Sequence, residues 1–330
     1  MNPHRRLLLR AAGTAAATSA LGIAAPASAQ TYPERPIRLV IPYGPGGPTD
    51  VLGRLLAEHL RGPLEQNVIV DNRPGGGGVI AMTTVANAPA DGYTLLFGDI
   101  NLSVSPSLHR SLAFDPAKDF TPVALTGTAP MLVLVAANSP FEGIKQLVEE
   151  ARARPGTIAY AHGGIGSPTH LMPEVLKNRY RVDLLPVPYK GSGDALVAVA
   201  GGEAQLVFTG LSAARPLLES SKLRAIAITG EKRARTLPDV PTLAEAGLPL
   251  PEGNRGSWWG LIGPAKLPAA AAFKLTEAAE AAFKKPEVLD RLAALNIDPT
   301  FGDGAAFGRW IEDERNTWSE VLRRAGIGPE

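Results

Sequence analysis

Three glycine-rich loops hold most of the residues whose types and spacing could do chemistry. They span residues 43–50, 162–170 and 189–194, and each follows a short β-prone run. Loops at the carboxyl ends of parallel strands expose backbone N–H groups beside a helix start, which favours an anion such as a carboxylate or phosphate. Gly46 and Gly47 leave the backbone open to that anion. The loops therefore predict an anion-binding site.

Each loop also has a purely structural interpretation. Residues 44–47 are turn formers. Asp50 suits a helix cap as well as an acceptor for a ligand ammonium group. Ser167 and Thr169 suit a helix cap, donation to a carboxylate, or both. Lys190 suits attraction of an anion or simple solvation. The loop sequences alone leave these alternatives open.

Spacings typical of catalysis and cofactor binding are absent from the sequence. The glycine loops do not match the G-x-G-x-x-G fingerprint, and no Gly-Lys-Ser/Thr run follows them. No pair of histidines has metal-ligand spacing. Ser167 is followed by Pro168 and Thr169, which differs from the esterase G-x-S-x-G elbow. His170 lies only three residues after Ser167 and has no acidic partner beside it. We therefore expect binding without catalysis, and neither a cofactor nor a metal.

The N-terminus has the pattern of a secretory signal peptide. A basic start precedes an apolar, alanine-rich stretch from Ala11 to Ala25, and an A-x-A-type end predicts cleavage between Ala29 and Gln30. The pair Arg5-Arg6 resembles a twin-arginine signal, while the general secretory route stays equally open. We expect residues 1–29 to be removed and the mature protein to be soluble in the periplasm.

Composition excludes several classes of protein. The 330 residues include no cysteine, so disulfides, thiolate metal sites and a cysteine nucleophile are excluded. The formal charge of +1 falls to about −2 when Arg5, Arg6 and Arg10 leave with the signal peptide. The mature chain has no basic patch for nucleic acid and no amphipathic membrane anchor. We expect a monomer that binds no nucleic acid.

Strand-like runs alternate with helical segments through most of the chain, which indicates an α/β fold with parallel strands. Two such units of about 100 residues are expected, with a helical C-terminus. We predict a first lobe at residues 30–128, a second lobe at 129–251, and a return to the first lobe at 252–330. The glycine loops then face each other across a cleft. At most one of Trp258 and Trp259 should face it, because neighbouring strand residues point to opposite sides.

Ordered motifs along the chain resemble the Bug family of periplasmic solute receptors, which are associated with tripartite tricarboxylate transporters. The resemblance runs from about Tyr32 to the C-terminus. It is carried by residues 40–50 (VIPYGPGGPTD), 71–75 (DNRPG), 90–96 (ADGYTLL), 115–123 (DPAKDFTPV), 189–191 (YKG) and 237–247 (LPDVPTLAEAG).

The resemblance implies a type II periplasmic-binding-protein fold, with two mixed, mostly parallel sheets joined by crossover strands around a central cleft. It also implies that loop backbone groups hold a small carboxylate, partly through ordered waters. Carried over by position, the ligand-binding residues are Tyr43, Gly46, Gly47, Asp50, Gly164, Gly166, Ser167, His170, Tyr189, Gly191 and Asp194.

The sequence departs from the family's pattern at three places. Gln205 stands where an acidic residue is common, Thr209-Gly210 replaces a frequent acidic-amide pair, and His162 replaces a small residue. If these side chains face the ligand, they help to decide which carboxylate is bound.

These observations favour a receptor that captures a carboxylate by closure of two lobes and delivers it to the membrane subunits of a transporter. One alternative is a solute sensor that presents its closed form to a receptor kinase. Another is a periplasmic hydrolase that uses Ser167 or His170.

Overall fold

Two β-sheets form the framework of the chain. The computed structural model describes residues 32–253, 256–324 and 326–329, and the predicted signal peptide lies outside them. Across the first sheet the strands are β11 (Gly302–Asp303), β4 (Phe120–Ala129), β10 (Ser257–Pro264), β3 (Thr94–Gly98), β1 (Ile37–Ile41) and β2 (Val68–Asn72). Across the second they are β7 (Leu185–Pro188), β6 (Ala159–His162), β8 (Leu206–Thr209), β5 (Leu132–Ala136) and β9 (Leu223–Ile228).

Helices surround both sheets, and we call each sheet with its helices a lobe. The first lobe contains α1 (Pro48–Leu64), α2 (Val79–Ala86), α3 (Asn101–Leu108), α8 (Ala269–Phe283), α9 (Pro286–Ala294) and α10 (Gly304–Arg324). The second contains α4 (Ile144–Ala153), α5 (Pro168–Tyr180), α6 (Ser192–Ala200) and α7 (Leu211–Glu219). Short 3₁₀ turns lie at Gly76–Gly78 and Pro251–Gly253. None of the helices in the described residues combines the length and hydropathy that a bilayer span requires.

Helix α1 shows how the sequence builds the first lobe. Four leucines at intervals of four residues, Leu52, Leu56, Leu60 and Leu64, are buried and form one apolar face. Pro48 occupies the first turn, where its missing N–H is not needed. The leucine spacing therefore fixes the face on which α1 packs, and the proline fixes where it begins, directly after the first glycine loop.

The two-lobed α/β fold with mixed sheets is confirmed. Parallel pairs occur within β1–β3 and within β6–β8, whereas β10, β4, β11, β5 and β9 pair antiparallel. The expectation of mostly parallel sheets is therefore wrong. The physical reason is that the strands that carry the chain between the lobes run back along their neighbours.

The crossing segments bond to each other where the chain passes between the lobes. Ala129 pairs with Ser257 at the end of the β4–β10 ladder. Beyond it, the Met131 N–H donates to the Thr229 hydroxyl and the Thr229 N–H donates to the Met131 carbonyl, both at 2.8 Å. The lobes are thus joined by paired extended segments, which is the arrangement of a hinge.

The tandem tryptophans of β10 point to opposite sides, as expected. The Trp258 indole N–H donates to buried Glu314 of α10 at 3.2 Å. The Trp259 indole N–H donates to the Thr49 hydroxyl at the start of α1, at 3.0 Å. Trp259 alone of the two lies on the cleft side.

The lobes are closed on each other across the glycine loops. The Gly44 N–H of the first lobe donates to the Lys190 carbonyl of the second, at 3.2 Å. A Cβ atom on Gly47 would lie 2.6 Å from the Ser192 hydroxyl, so a larger residue there would require the Ser192 side chain to shift. These contacts close the cleft and leave a small cavity behind them.

Candidate functional site

The cavity between the lobes is small, with a volume of about 20 Å³. A cavity of this size has room for about one water molecule, so a larger solute requires the lobes to part slightly. Its lining residues come from both lobes and from the crossing segments: Tyr43, Pro48, Thr49, Asp99, Met131, Gly163, Ser167, Pro168, Thr169, Ser192, Thr209, Gly210, Ser257 and Trp259.

Four helices begin at this cavity. Helix α1 comes from the first lobe and α5, α6 and α7 from the second, and a residue within the first turn or at the N-cap of each lines the cavity. The four N-cap residues make no side-chain capping bond. First-turn N–H groups have no carbonyl partner within their own helix, and each helix start carries a partial positive charge. The cavity is therefore built to attract an anion.

A buried hydroxyl without a partner among the described residues lies at the cavity. Thr209 is fully buried, lines the cavity and ends β8 directly before α7. Within the described residues its Oγ1 atom has no hydrogen-bond partner, and the same is true of the Ser212 hydroxyl in the first turn of α7. Because an unpaired buried polar group costs about 1–3 kcal/mol, a ligand acceptor that meets the Thr209 hydroxyl gains that energy.

A buried carboxylate, Asp99, also lines the cavity. Its Oδ1 atom accepts from the Tyr43 hydroxyl at 3.2 Å and from the Asn101 N–H at 3.1 Å. Its Oδ2 atom accepts from the Thr49 hydroxyl at 3.4 Å. Burial raises the pKa of Asp99 to about 6, against the three hydrogen bonds, which lower it. Burial and then Asp99 itself raise the pKa of Tyr43, which stays a neutral donor.

Two histidines hold the glycine loop that precedes α5. Nδ1 of His162 accepts from the Gly164 N–H at 3.2 Å, and Nδ1 of His170 accepts from the Gly166 N–H at 3.3 Å. Both glycines have positive φ, 117° and 77° respectively. The two histidine rings lie in contact, with centroids 4.8 Å apart and planes tilted by 47°. An accepting Nδ1 atom requires the neutral imidazole, so this loop conformation depends on both rings staying unprotonated.

We expect His170 to titrate near pH 4 when its ring carbons are followed by NMR. Burial, and then the neighbouring His162, lower its pKa to about 4. Because the unfolded chain binds this proton near pH 6.5, the contribution of His170 to stability is complete above that pH and is lost as the pH falls towards 4. A titration midpoint near 6.5 in the folded protein would contradict this placement of the ring.

Asp50, which the sequence analysis expects to bind the ligand, lies outside the cavity lining. It is the third residue of α1, and Gly47 is the N-cap. The Asp50 carboxylate accepts from the Gly46 N–H at 3.0 Å, from Asn72 at 2.9 Å and from Arg54 at 3.0 Å. Burial raises the pKa of Asp50, but these donors outweigh it and the pKa is lowered. The carboxylate is saturated by partners of its own lobe and therefore stabilises the first loop.

The other residues expected to bind the ligand divide into three groups. Tyr43 and Ser167 line the cavity. Gly164, Tyr189 and Asp194 line an outer groove between the glycine loops, together with Lys190, whose side chain is exposed. Neither lining includes the remaining five of the eleven. Gly46, Gly47 and Gly191 form or flank the contact between the lobes, and Gly166 and His170 support the loop before α5.

The three places at which the sequence departs from the family pattern lie in different parts of the structure. Thr209 and Gly210 line the cavity. Gln205 instead accepts from the Ala159 N–H at 2.8 Å and ties β8 to β6, while His162 supports the glycine loop. Only Thr209-Gly210 is therefore placed to influence the choice of ligand directly.

Sequence reasoning missed Asp99 and the helix that follows Thr209. Asp99 comes directly after β3, at the carboxyl end of a parallel strand, so the rule that points to the glycine loops also applies to it. Helix α7 contains Pro216, a residue that disfavours a helix interior. The position of Thr209 between a strand and a helix was therefore not recognised.

Ser167 and His170, the candidate residues for a hydrolase, each bond to a partner in their own loop or helix start. The Ser167 hydroxyl bonds to the Thr169 hydroxyl at 2.8 Å, and the imidazole of His170 is engaged with Gly166. Within residues 32–253, 256–324 and 326–329 no three His, Asp or Glu side chains cluster in a way that could hold a metal ion.

Two α/β lobes, joined by crossing strands and closed over a small cavity, define a solute-binding protein of the periplasmic type. The profile of the tripartite tricarboxylate transporter family receptor (TctC) matches residues 52–327. Protein BugT of Bordetella pertussis is 35% identical over 307 residues, which cover 92% of this chain and 94% of BugT. The chain belongs to the TctC family of receptors.

Solved structures share its fold. The periplasmic binding protein BugD superposes with a TM-score of 0.86 at 32% identity, over 91% of this chain and 100% of BugD. Rpa4515 of R. palustris, solved with adipate, also gives 0.86, at 35% identity and with coverage of 91% and 100%. These relatives are solute-binding proteins, and one of them holds a dicarboxylate.

Proposed function

We propose that this chain is a receptor that captures a small organic carboxylate in the cleft between its lobes and delivers it, chemically unchanged, to the membrane subunits of a tripartite tricarboxylate transporter. In this proposal the signal peptide at residues 1–29 directs the chain to the periplasm, where it acts as a monomer. The lobes divide after residues 128 and 251. The observation that carries the proposal is the convergence of four helix starts without side-chain caps on one cavity between the lobes.

The chemistry of the site supports an anion held by backbone groups. No lysine or arginine side chain belongs to the cavity lining within the described residues. The anion is instead met by first-turn N–H groups and by hydroxyls, and the Thr209 hydroxyl has no other partner among the described residues. We propose that Tyr43, Thr49, Ser167, Thr169, Ser192 and Thr209 contact the ligand.

Closure of the lobes is the functional step. The Gly44–Lys190 bond and the approach of Gly47 to Ser192 both join loops of opposite lobes, so they form only when the cleft shuts. A ligand that bridges the helix starts of both lobes stabilises this closed form. The closed form is then the state that a membrane partner distinguishes from the empty receptor.

A thermal-shift screen tests the proposal. The purified mature chain is heated with adipate, malate, citrate, glutamate and benzoate, and in parallel with glucose and choline. We expect at least one acid to raise the melting temperature, because a ligand at 100 times its Kd stabilises the folded form by about 2.7 kcal/mol. The neutral and cationic solutes should have no effect. A shift with glucose or choline, and with none of the acids, would contradict the proposal.

A further inference from the structure

Asp99 places a negative charge in a cavity that otherwise attracts anions. It is 1% exposed, and it is the one charged side chain in the cavity lining within the described residues. Tyr43 is the only other titratable side chain in that lining. A buried carboxylate without a cationic partner is unfavourable. Within the described residues, the cavity lining therefore supplies no positive charge to balance that of Asp99.

The neighbouring hydrogen bonds all require Asp99 to be an acceptor. The Trp259 indole can only donate, and it does so to the Thr49 hydroxyl, whose own proton is then directed to Asp99 Oδ2. The Asn101 side-chain amide donates to the Tyr43 hydroxyl at 2.5 Å, which leaves the phenol proton for Asp99 Oδ1. Two series of hydrogen bonds thus end with Asp99 as the acceptor, and this arrangement favours the ionised carboxylate.

The two oxygens of Asp99 are not equally satisfied. Oδ1 accepts two hydrogen bonds at 3.1 and 3.2 Å. Oδ2 accepts one long bond of 3.4 Å from Thr49, so it retains acceptor capacity. A donor on the ligand that reaches Oδ2 would complete its coordination, and a positively charged donor would also neutralise the buried charge.

We propose that the ligand is a zwitterion, an amino acid or related amino-carboxylate, whose carboxylate meets the helix starts while its ammonium group binds Asp99. The inference rests on the proposed function and specifies its ligand class. A purely anionic acid would bring a second negative charge close to Asp99, which the low dielectric of a closed site makes unfavourable. An amino-carboxylate supplies one charge of each sign, as the cavity requires.

Calorimetry with matched pairs of acids tests this ligand class. The pairs are aspartate and succinate, glutamate and glutarate, and leucine and 4-methylpentanoate, with adipate as a further acid that lacks an amine. All titrations are at pH 8, where Asp99 is ionised and the amines are protonated. We expect the wild type to bind the amino member of at least one pair roughly 30-fold more tightly, as a charge-assisted bond implies.

Two variants identify the residue responsible. Asp99→Asn keeps the shape of the side chain and should reduce the preference to roughly threefold or less, because the charge that attracts the ammonium is removed. Thr209→Val is the matched control, and it should weaken both members of the pair by the same factor. The melting temperature of each variant confirms that it is folded.

Three results would overturn the inference. One is tighter binding of the des-amino acids or of adipate by the wild type. Another is an unchanged preference in Asp99→Asn. A third is affinity for succinate that rises on acidification, which would mean that protonated Asp99 donates to a carboxylate. The failure of every acid, with and without an amine, would instead contradict the proposed function itself.

Discussion

Substitution of Gly193 by alanine should weaken carboxylate binding by roughly 10- to 100-fold and leave the empty protein as stable as the wild type. A Cβ atom on Gly193 would lie 2.7 Å from the carbonyl oxygen of Pro45 in the opposite lobe. Such overpacking costs about 1–3 kcal/mol. Because Gly193 is the second residue of α6, alanine itself suits its backbone, and the cost applies only when the lobes close.

The control for this experiment is Gly62→Ala. Gly62 is also a helical glycine, in α1, and a Cβ atom there would meet nothing within 4 Å. Calorimetry should therefore show wild-type affinity for Gly62→Ala and reduced affinity for Gly193→Ala, with equal melting temperatures in the absence of ligand. Wild-type affinity in Gly193→Ala would mean that binding does not require the closed arrangement.

Replacement of Asp99 by asparagine should stabilise the empty protein in a manner that depends on pH. Burial raises the pKa of Asp99 from 3.8 to about 6. A raised folded pKa means that the carboxyl contributes stability below about pH 4 and that this contribution is lost as the pH rises through 6. Asparagine does not titrate, so the stability of the variant does not fall in this way as the pH rises. Its advantage over the wild type should grow by roughly 2–3 kcal/mol between pH 4 and pH 7.

Urea unfolding of the empty proteins at the two pH values measures this change. The comparison cancels His170 and every other titrating group, because these are the same in both proteins. A difference between wild type and variant that is constant from pH 4 to pH 7 would show that Asp99 titrates near its ordinary value. The burial described for Asp99 would then be wrong.

Much of the framework could be predicted from the sequence, because periodic apolar patterns and the glycine-rich loops between them mark each strand–loop–helix unit. Residues 94–98 form a short apolar run that predicts a strand, and residues 269–283 form an amphipathic stretch that predicts a helix; the structure has both, as Thr94–Gly98 and Ala269–Phe283. The strand β4 and the helices α3 and α7 were not anticipated. Proline residues inside all three make them poor matches to propensity, and tertiary packing decides their conformation.

The location of the candidate site could be predicted from the sequence, but the residues that contact the ligand could not. Strand ends and glycine loops located the cleft, since parallel strands direct their carboxyl ends to one edge. Which loop residue faces the ligand depends on how the two lobes meet, and that contact joins residues far apart in sequence. Gly47 therefore lies against Ser192 of the opposite lobe, while Asp50 accepts a hydrogen bond from Gly46 in its own loop.

Titration calorimetry of the acid that gives the largest thermal shift, compared with the primary amide made from that acid, tests the central claim most directly. The amide has nearly the same shape but no negative charge. If four helix starts hold an anion in the cavity, the acid should bind with one-to-one stoichiometry and the amide roughly 100-fold more weakly. Equal affinity for the acid and the amide would contradict the claim that this protein is a carboxylate receptor.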